Sequence, residues 1–381
     1  MKTTRIDGYH LKLVPRVPLG NSRMFIRNRE FLAVHIHTDA GVSGWGEAFS
    51  SPWAAAALIR NLFSRVVLGQ SPQHYGRLFN EMLNLVNYDR RGAAMMAISA
   101  LDIALHDTAA RERNVSVADL LGGALHRKLP AYASGPFIRE GDQPYAHFNA
   151  EAERYMEQGF RLIKPRGGVS PKADGAMIRS LRQAVGEDVG LMVDINQGYT
   201  ARAAIAAARE MEPGNLLWIE EPVQPEDIAG YKTVSDAVPT AISGGEALGS
   251  LAAYRDFLEA GALSILQPDM AVCGGFSGFA RIVHLAAAYD LPVMPHVFAT
   301  TINFHAALQM AALIPARKGG GPMLYPYVEY DATDNPLAEL CGFPVGKDGY
   351  ATLPDKPGLG MDLTPAMLEP WTVERWSVAL P

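Results

Sequence analysis

Lys164, Asp194, Glu220, Glu246, Asp269, His296 and Glu329 recur along the chain at intervals of 23 to 33 residues. The first six close short apolar runs: RLIK at 161–164, LMVD at 191–194, LLWIE at 216–220, AISGGE at 241–246, SILQPD at 264–269 and LPVMPH at 291–296. Three successive strand-end acids can converge on one hard cation. Oxygen donors without Cys or His suit Mg²⁺ or Mn²⁺ rather than zinc. An isolated acid there could merely cap the following helix, but three at matched spacing favour an ion. Glu221 is the less suited member of its pair, because adjacent strand residues face opposite sides. Asp269 and His296 end adjacent strands, and a carboxylate on one imidazole nitrogen fixes the tautomer and raises the basicity of the other. His35, His37, His106, His284 and His305 lack that pattern and read as structural.

Residues so placed require a scaffold that brings many strand ends to one mouth. Helix-like stretches separate the apolar runs, and repeated βα units of this length form a parallel (β/α) barrel whose C-terminal strand ends share a single site. The alternation begins at LPAYASG (129–135) and persists to about residue 330. Upstream, FLAVHIHTDAGVSGWGEA at 31–48 alternates across an Asp-Ala-Gly turn as a hairpin does, and three helical patterns follow it. The expected division is an α+β cap over 1–128, the barrel over 129–335, and a Pro- and Gly-rich segment over 336–381 that returns to the cap or closes the mouth. GGFSG at 274–278 lacks the setting of a dinucleotide motif and reads as a loop after the sixth strand. Trp45, Tyr325 and Tyr327 read as packing residues.

A net charge of −6 over 381 residues argues against non-specific binding to nucleic acid or anionic membranes. Cys273 and Cys341 are too few for a disulfide framework. No run approaches the ~20 apolar residues of a membrane span, and the N-terminus lacks a signal-like apolar core. A cytoplasmic enzyme is the expectation, with a small carboxylate substrate and other copies of the chain as partners.

GVSGWGEA (41–48), SALDIALHD (99–107), LLGG (120–123), IKPR (163–166), VDINQGYT (193–200), WIEEP (218–222), SGGEA (243–247), QPD (267–269) and PH (295–296) together resemble the enolase superfamily, within it the mandelate racemase subgroup. The resemblance implies a modified (β/α)8-type barrel under an α+β cap completed by the C-terminal tail. It also implies Mg²⁺ and abstraction of a proton α to a carboxylate. On that reading Asp194, Glu220 and Glu246 hold the metal, His296 is the base with Asp269 behind it, and Lys164 and Asn196 touch the substrate carboxylate. Glu329 resembles the subgroup's carboxyl group that, when protonated, donates a hydrogen bond to the opposite substrate oxygen.

The chain departs from the subgroup at Lys164-Pro165-Arg166, where Lys-X-Lys is usual and the second lysine is a base. Residues two apart share a face, so Lys164 and Arg166 both enter the barrel. Arginine stays protonated and serves as an anion clamp rather than a base. This favours a one-base elimination, dehydration of a sugar acid (an aldonate or aldarate) to a 2-keto-3-deoxy acid. The alternatives are a racemase or epimerase working through Lys164 and His296, and a non-catalytic binding barrel. Arg16, Arg23, Arg27 and Arg29 make the first cap loop basic. Arg16 and Arg23 are its expected substrate contacts.

Overall fold

The computed structural model describes residues 1–88 and 90–380. The chain opens with β1 (Thr3–Leu13), a short β2–β3 hairpin (Leu19–Gly20 and Phe25–Ile26), β4 (Arg29–Thr38) and β5 (Ser43–Ala48). β1, β4 and β5 are antiparallel neighbours, and the C-terminal strand Thr372–Ala379 joins the free edge of β1. The tail therefore completes the sheet of the cap.

The long helix Gly92–Glu112 is buried along almost its whole length and lies across β5. Its close approach explains the glycines of GVSGWGEA: a Cβ on Gly46 would stand 1.9 Å from Ala100 O, and one on Gly44 2.5 Å from the Thr108 main-chain N. Strand alternation then turns Trp45 and Glu47 to the opposite face, towards the barrel. Within SALDIALHD, Ser99 Oγ accepts from Gly274 N–H at 2.8 Å and Asp102 Oδ2 from Ser277 N–H at 3.0 Å. Asp107 accepts from Trp45 N–H and from Leu359 N–H, both at 2.8 Å, tying the C-terminal segment to the cap. The motif is a clamp between cap, barrel and tail.

That clamp corrects one expectation. GGFSG is the first turn of the helix Gly275–Ala288 rather than a loop. Gly274 and Gly275 adopt φ of 102° and 63° so that the helix end can approach Ser99 and Asp102.

The barrel staves are β6 (Lys128–Ser134), β7 (Leu162–Lys164), β8 (Gly190–Asp194), β9 (Leu216–Glu220), β10 (Ile242–Gly244), β11 (Ile265–Leu266) and β12 (Val328–Asp331). They run parallel in the order β11-β10-β9-β8-β7-β6-β12. The segment 293–296 extends the sheet beyond β11 through parallel bridges from Leu266 to Val293 and from Asp269 to His296. β7 and β8 are buried at every position, which is why these staves read as apolar runs without alternation; β12 is equally buried but carries Glu329 and Asp331. Helices alternate with the staves, and β13 (Tyr350–Thr352) from the tail pairs antiparallel with β6. The molecule is a TIM-like (β/α) barrel with an N-terminal α+β cap.

Several barrel helices begin at a side chain that accepts from their first free N–H groups. Thr200 caps on Ala203 N–H, Asp227 on Gly230 N–H, Ser250 on Ala253 N–H and Thr300 on Ile302 N–H. The helices after β8, β9 and β10 thus have caps other than Asp194, Glu220 and Glu246. Helix capping does not account for the three acids.

Candidate active site

Asp194 and Glu220 end β8 and β9, and Glu246 follows β10 by two residues. One carboxylate oxygen from each lies within 4.8 Å of the other two. Asp194 and Glu220 are fully buried, and Glu246 is partly exposed at the mouth. Glu221 is excluded from the group: its Oε2 accepts from Gln197 Nε2 at 2.9 Å.

Burying these carboxylates requires compensation. Lys164 Nζ lies 2.5 Å from Glu220 Oε1, and Arg166 is paired with Asp194 through Nη1. Asp194 also accepts from the Asn196 main-chain N–H at 2.7 Å and from Asn196 Nδ2 at 2.8 Å. Glu220 Oε2 accepts from Gln267 Nε2 at 2.6 Å and Trp218 Nε1 at 3.0 Å. Burial pushes all three acids upward, opposed chiefly by Arg166 for Asp194, Lys164 for Glu220 and His296 for Glu246. Burial also pulls Lys164 down, yet Glu220 and Glu329 more than reverse that, so its ammonium is retained.

His296 Nδ1 meets Asp269 Oδ2 at 2.7 Å, which leaves Nε2 facing the mouth, 3.1 Å from Glu246 Oε2 and 3.9 Å from Glu329 Oε2. Burial alone would lower the imidazole; Glu246, Glu329 and Asp269 carry it up to about 10. Asp269 is held by the Ala271 N–H at 2.7 Å and by Asn303 Nδ2 at 3.2 and 3.3 Å to its two oxygens.

Glu329 sits against Lys164 and His296. Lys164 Nζ lies 2.8 Å from its Oε1 as an ion pair without hydrogen-bond geometry, while Oε2 accepts from Val297 N–H at 2.9 Å. Burial raises this carboxyl, but Lys164, His296 and Arg166 outweigh it and hold it down to about 2. In this arrangement the field of Lys164, His296 and Arg166 favours the ionised form of Glu329.

Arg166 enters the same cluster through Asp194. Its Nη2 donates to Ser134 Oγ at 3.0 Å, and its guanidinium lies 4.5 Å from the Phe137 ring centroid. The cap arginines divide. Arg23 Nη1 donates to Gln197 Oε1 at 2.7 Å, and neighbouring Ser22 Oγ donates to Ile195 O at 2.6 Å, so this stretch sits on the loop after β8. Arg16 is 88% exposed and pairs with Asp334 at 3.3 Å. It lines a separate cavity of about 140 Å³ with Arg29, Phe137 and Arg139, into which none of the seven strand-end side chains projects. Arg29 is not a loop residue: it starts β4, buried and paired with Asp331 at 2.7 Å.

Some participants were not identified from sequence. Glu47, wholly buried in the cap, accepts from Thr300 Oγ1 at 2.7 Å, Thr300 N–H at 3.2 Å and Asn303 N–H at 3.1 Å. It thereby fixes the turn carrying Asn303 behind Asp269. GWGE contained the signal, since a charged residue following two obligatory glycines must face the barrel. Two histidines read as unpartnered also have carboxylates: His37 Nε2 lies 2.8 Å from Asp7 Oδ2, and His106 Nδ1 3.2 Å from Asp102 Oδ2.

Residues 8–122 match the mandelate racemase / muconate lactonizing enzyme N-terminal domain, and residues 147–367 the enolase C-terminal domain-like family. The chain is 33% identical to D-galactarolactone cycloisomerase of Agrobacterium fabrum, covering 95% of this chain and 97% of that one. It is 30% identical to D-galactonate dehydratase of Cronobacter sakazakii, with 95% and 92% covered. The crystal structure of a racemase from Streptomyces coelicolor with bound magnesium superimposes with a TM-score of 0.86 at 27% identity, over 97% of this chain and all of that one. The protein is an enzyme of the enolase superfamily and belongs to its mandelate racemase / muconate lactonizing group, whose relatives include sugar-acid dehydratases and cycloisomerases.

Proposed function

We propose that the enzyme removes the proton α to the carboxylate of a sugar acid and expels the oxygen on the adjacent carbon. The observation that carries this reading is the His296–Asp269 pair at 2.7 Å beside the cluster of Asp194, Glu220 and Glu246. Asp269 keeps the proton on Nδ1, so Nε2 is the atom that accepts the substrate proton. The Cα–H bond breaks, a carbon–carbon double bond forms, and the C3–oxygen bond breaks. His296 then returns its proton to the departing hydroxyl on the same face, releasing water. The enol tautomerises to the 2-keto-3-deoxy acid.

The donor set fits a hard dication, being all oxygen and convergent, with Glu246 Oε2 buried and without a hydrogen-bond partner among the described residues. Held by Asp194, Glu220 and Glu246, Mg²⁺ or Mn²⁺ would supply charge stabilisation to the forming enediolate and offset the negative field that raises His296. Lys164 and Asn196 face the same carboxylate, and Arg166 holds a hydroxyl or distal carboxylate. Arg23 lies on the lip of the loop that would cover the substrate.

A second reading changes only the leaving group. The 33% identity to a lactone cycloisomerase favours a ring oxygen in place of a free hydroxyl, with the same base and the same bond changes at the α-carbon. A racemase using Lys164 and His296 is disfavoured because the position of the usual second lysine is Arg166. Turnover of mono- and diacid sugars and their lactones, followed with semicarbazide and in D₂O, separates the three. Ketone from open-chain acids supports the dehydratase, and ketone from lactones alone supports the cycloisomerase. Inversion with α-deuteration and no ketone would establish the racemase. His296→Asn should abolish both ketone formation and α-exchange while leaving Mg²⁺ binding intact. Exchange at the wild-type rate in that variant would place the base elsewhere.

A further inference from the structure

The cap carries a second convergent cluster, remote in chemistry from the barrel acids. Asp7 of β1 is directly opposite His35 of β4 in the antiparallel register. His37 lies two residues beyond His35 and so shares its face. One ligand atom from each of Asp7, His35 and His37 lies within 4.8 Å of the other two. His37 Nε2 is already 2.8 Å from Asp7 Oδ2, and the two imidazole centroids are 4.1 Å apart.

His35 supplies an independent observation. The residue is only 6% exposed and its ring is stacked on Trp45 at 3.9 Å and 5°. Its Nδ1 is buried with no hydrogen-bond partner among the described residues. A buried polar nitrogen left unpaired costs roughly 1–3 kcal/mol, and a rigid stacked ring cannot turn to relieve it. An occupant of the cluster reached through that nitrogen would satisfy it.

We propose that Asp7, His35 and His37 form a binding site for a transition-metal dication of the Zn²⁺ class. Two imidazoles and one carboxylate match the donor preference of Zn²⁺, Ni²⁺ or Cu²⁺ and disfavour Mg²⁺, the reverse of the all-oxygen barrel cluster. A tetrahedral ion separates its ligand atoms by about 3.3 Å, so modest rotations of Asp7 and His37, both partly exposed, complete the geometry. Asp7 and His37 leave one side of the cluster partly exposed. Arg5 currently occupies this side, 3.1 Å from Asp7 and 3.2 Å from His37 Nε2, but its side chain is 48% exposed and free to swing into water. Arg111, the other nearby cation, is engaged by Asp107 and Met361 O, both at 2.8 Å. An ion here would join β1 to β4 and stiffen the sheet that carries Glu47 on its next strand.

Calorimetric titration of Zn²⁺ into the full-length protein in excess Mg²⁺ tests the site, with melting temperature as a second readout. One Zn²⁺ per chain and a melting temperature raised by several degrees are expected. Both should vanish in His37→Gln and Asp7→Asn, which alter partly exposed side chains and leave the His35–Trp45 stack in place, and both should persist in Glu220→Gln. Zn²⁺ bound equally by His37→Gln but lost in Glu220→Gln would assign the ion to the barrel. Absence of binding at 100-fold molar excess in wild type would equally overturn the proposal.

Discussion

Asn303 Nδ2 bridges both oxygens of Asp269, at 3.2 and 3.3 Å, while Asn303's own N–H is held by Glu47 of the cap at 3.1 Å. The carboxylate behind the proposed base is thus oriented from the barrel but anchored from the other domain. Asp269 in turn sets the tautomer of His296.

Asn303→Ala should therefore impair proton transfer without touching the substrate. Loss of one orienting partner behind a functional imidazole costs roughly 10–100-fold. The expected signature is a kcat lowered by that order, KM little changed, and a shifted acidic limb of the kcat pH profile. An unshifted profile with kcat and KM equally affected would indicate a general packing defect instead.

The metal reading predicts a specific pattern of loss. Chelation of wild type should abolish turnover, with Mg²⁺ or Mn²⁺ restoring it. Asp194→Asn and Glu220→Gln should each weaken Mg²⁺ binding by at least an order of magnitude, because each removes an anionic oxygen from a three-carboxylate set. Glu221→Gln, whose side chain is turned to Gln197, should retain Mg²⁺ binding. Equal Mg²⁺ affinity in all three variants, measured calorimetrically, would remove the cluster from consideration.

The strand-end set was legible because a parallel barrel converts a regular βα spacing into a shared mouth. Asp194, Glu220, Asp269 and His296 could be placed together without knowing any helix packing. The Glu47–Asn303 contact could not, since it joins residues more than 250 positions apart across a domain junction. His35-X-His37 was visible as a shared face, but Asp7 enters only through the β1–β4 register. GGFSG misled because glycine-rich stretches usually mark loops, whereas here Ser99 and Asp102 require a close approach at a helix start. The charge state of Glu329 depends on Lys164, His296 and Arg166 together, a summed field that no pairwise spacing reveals.

Acid sensitivity should trace in part to His305. Its burial holds the imidazole down to about 4 from an ordinary 6.5, so the unfolded chain binds more protons between those values. Stability from this group is full above pH 6.5 and is lost as pH falls towards 4. Glu47 has the opposite slope: burial raises it to about 7, so its contribution is lost as pH rises from 4.5 through 7. Comparing wild type with His305→Gln isolates the first term. The wild-type advantage should be about 2 kcal/mol smaller at pH 5 than at pH 8, measured by urea unfolding. A gap independent of pH would show that His305 titrates normally.

Arg166 is where the chain leaves its group's usual pattern, and its surroundings show what a lysine would lose. The guanidinium reaches Asp194 through Nη1 and Ser134 Oγ through Nη2 at once and lies over Phe137, a forked arrangement that an ammonium cannot reproduce. Arg166→Lys should raise KM, roughly tenfold for the loss of one charge-assisted contact. At the same time, a lysine that sheds its proton could act as a base on the face opposite His296, so slow new α-proton exchange or epimerisation in D₂O is the expected second trace. Wild-type enzyme that already exchanges the α-proton of both epimers at comparable rates would mean that a base works on each face. Lys164 would then be that second base, and the one-base elimination would give way to racemisation.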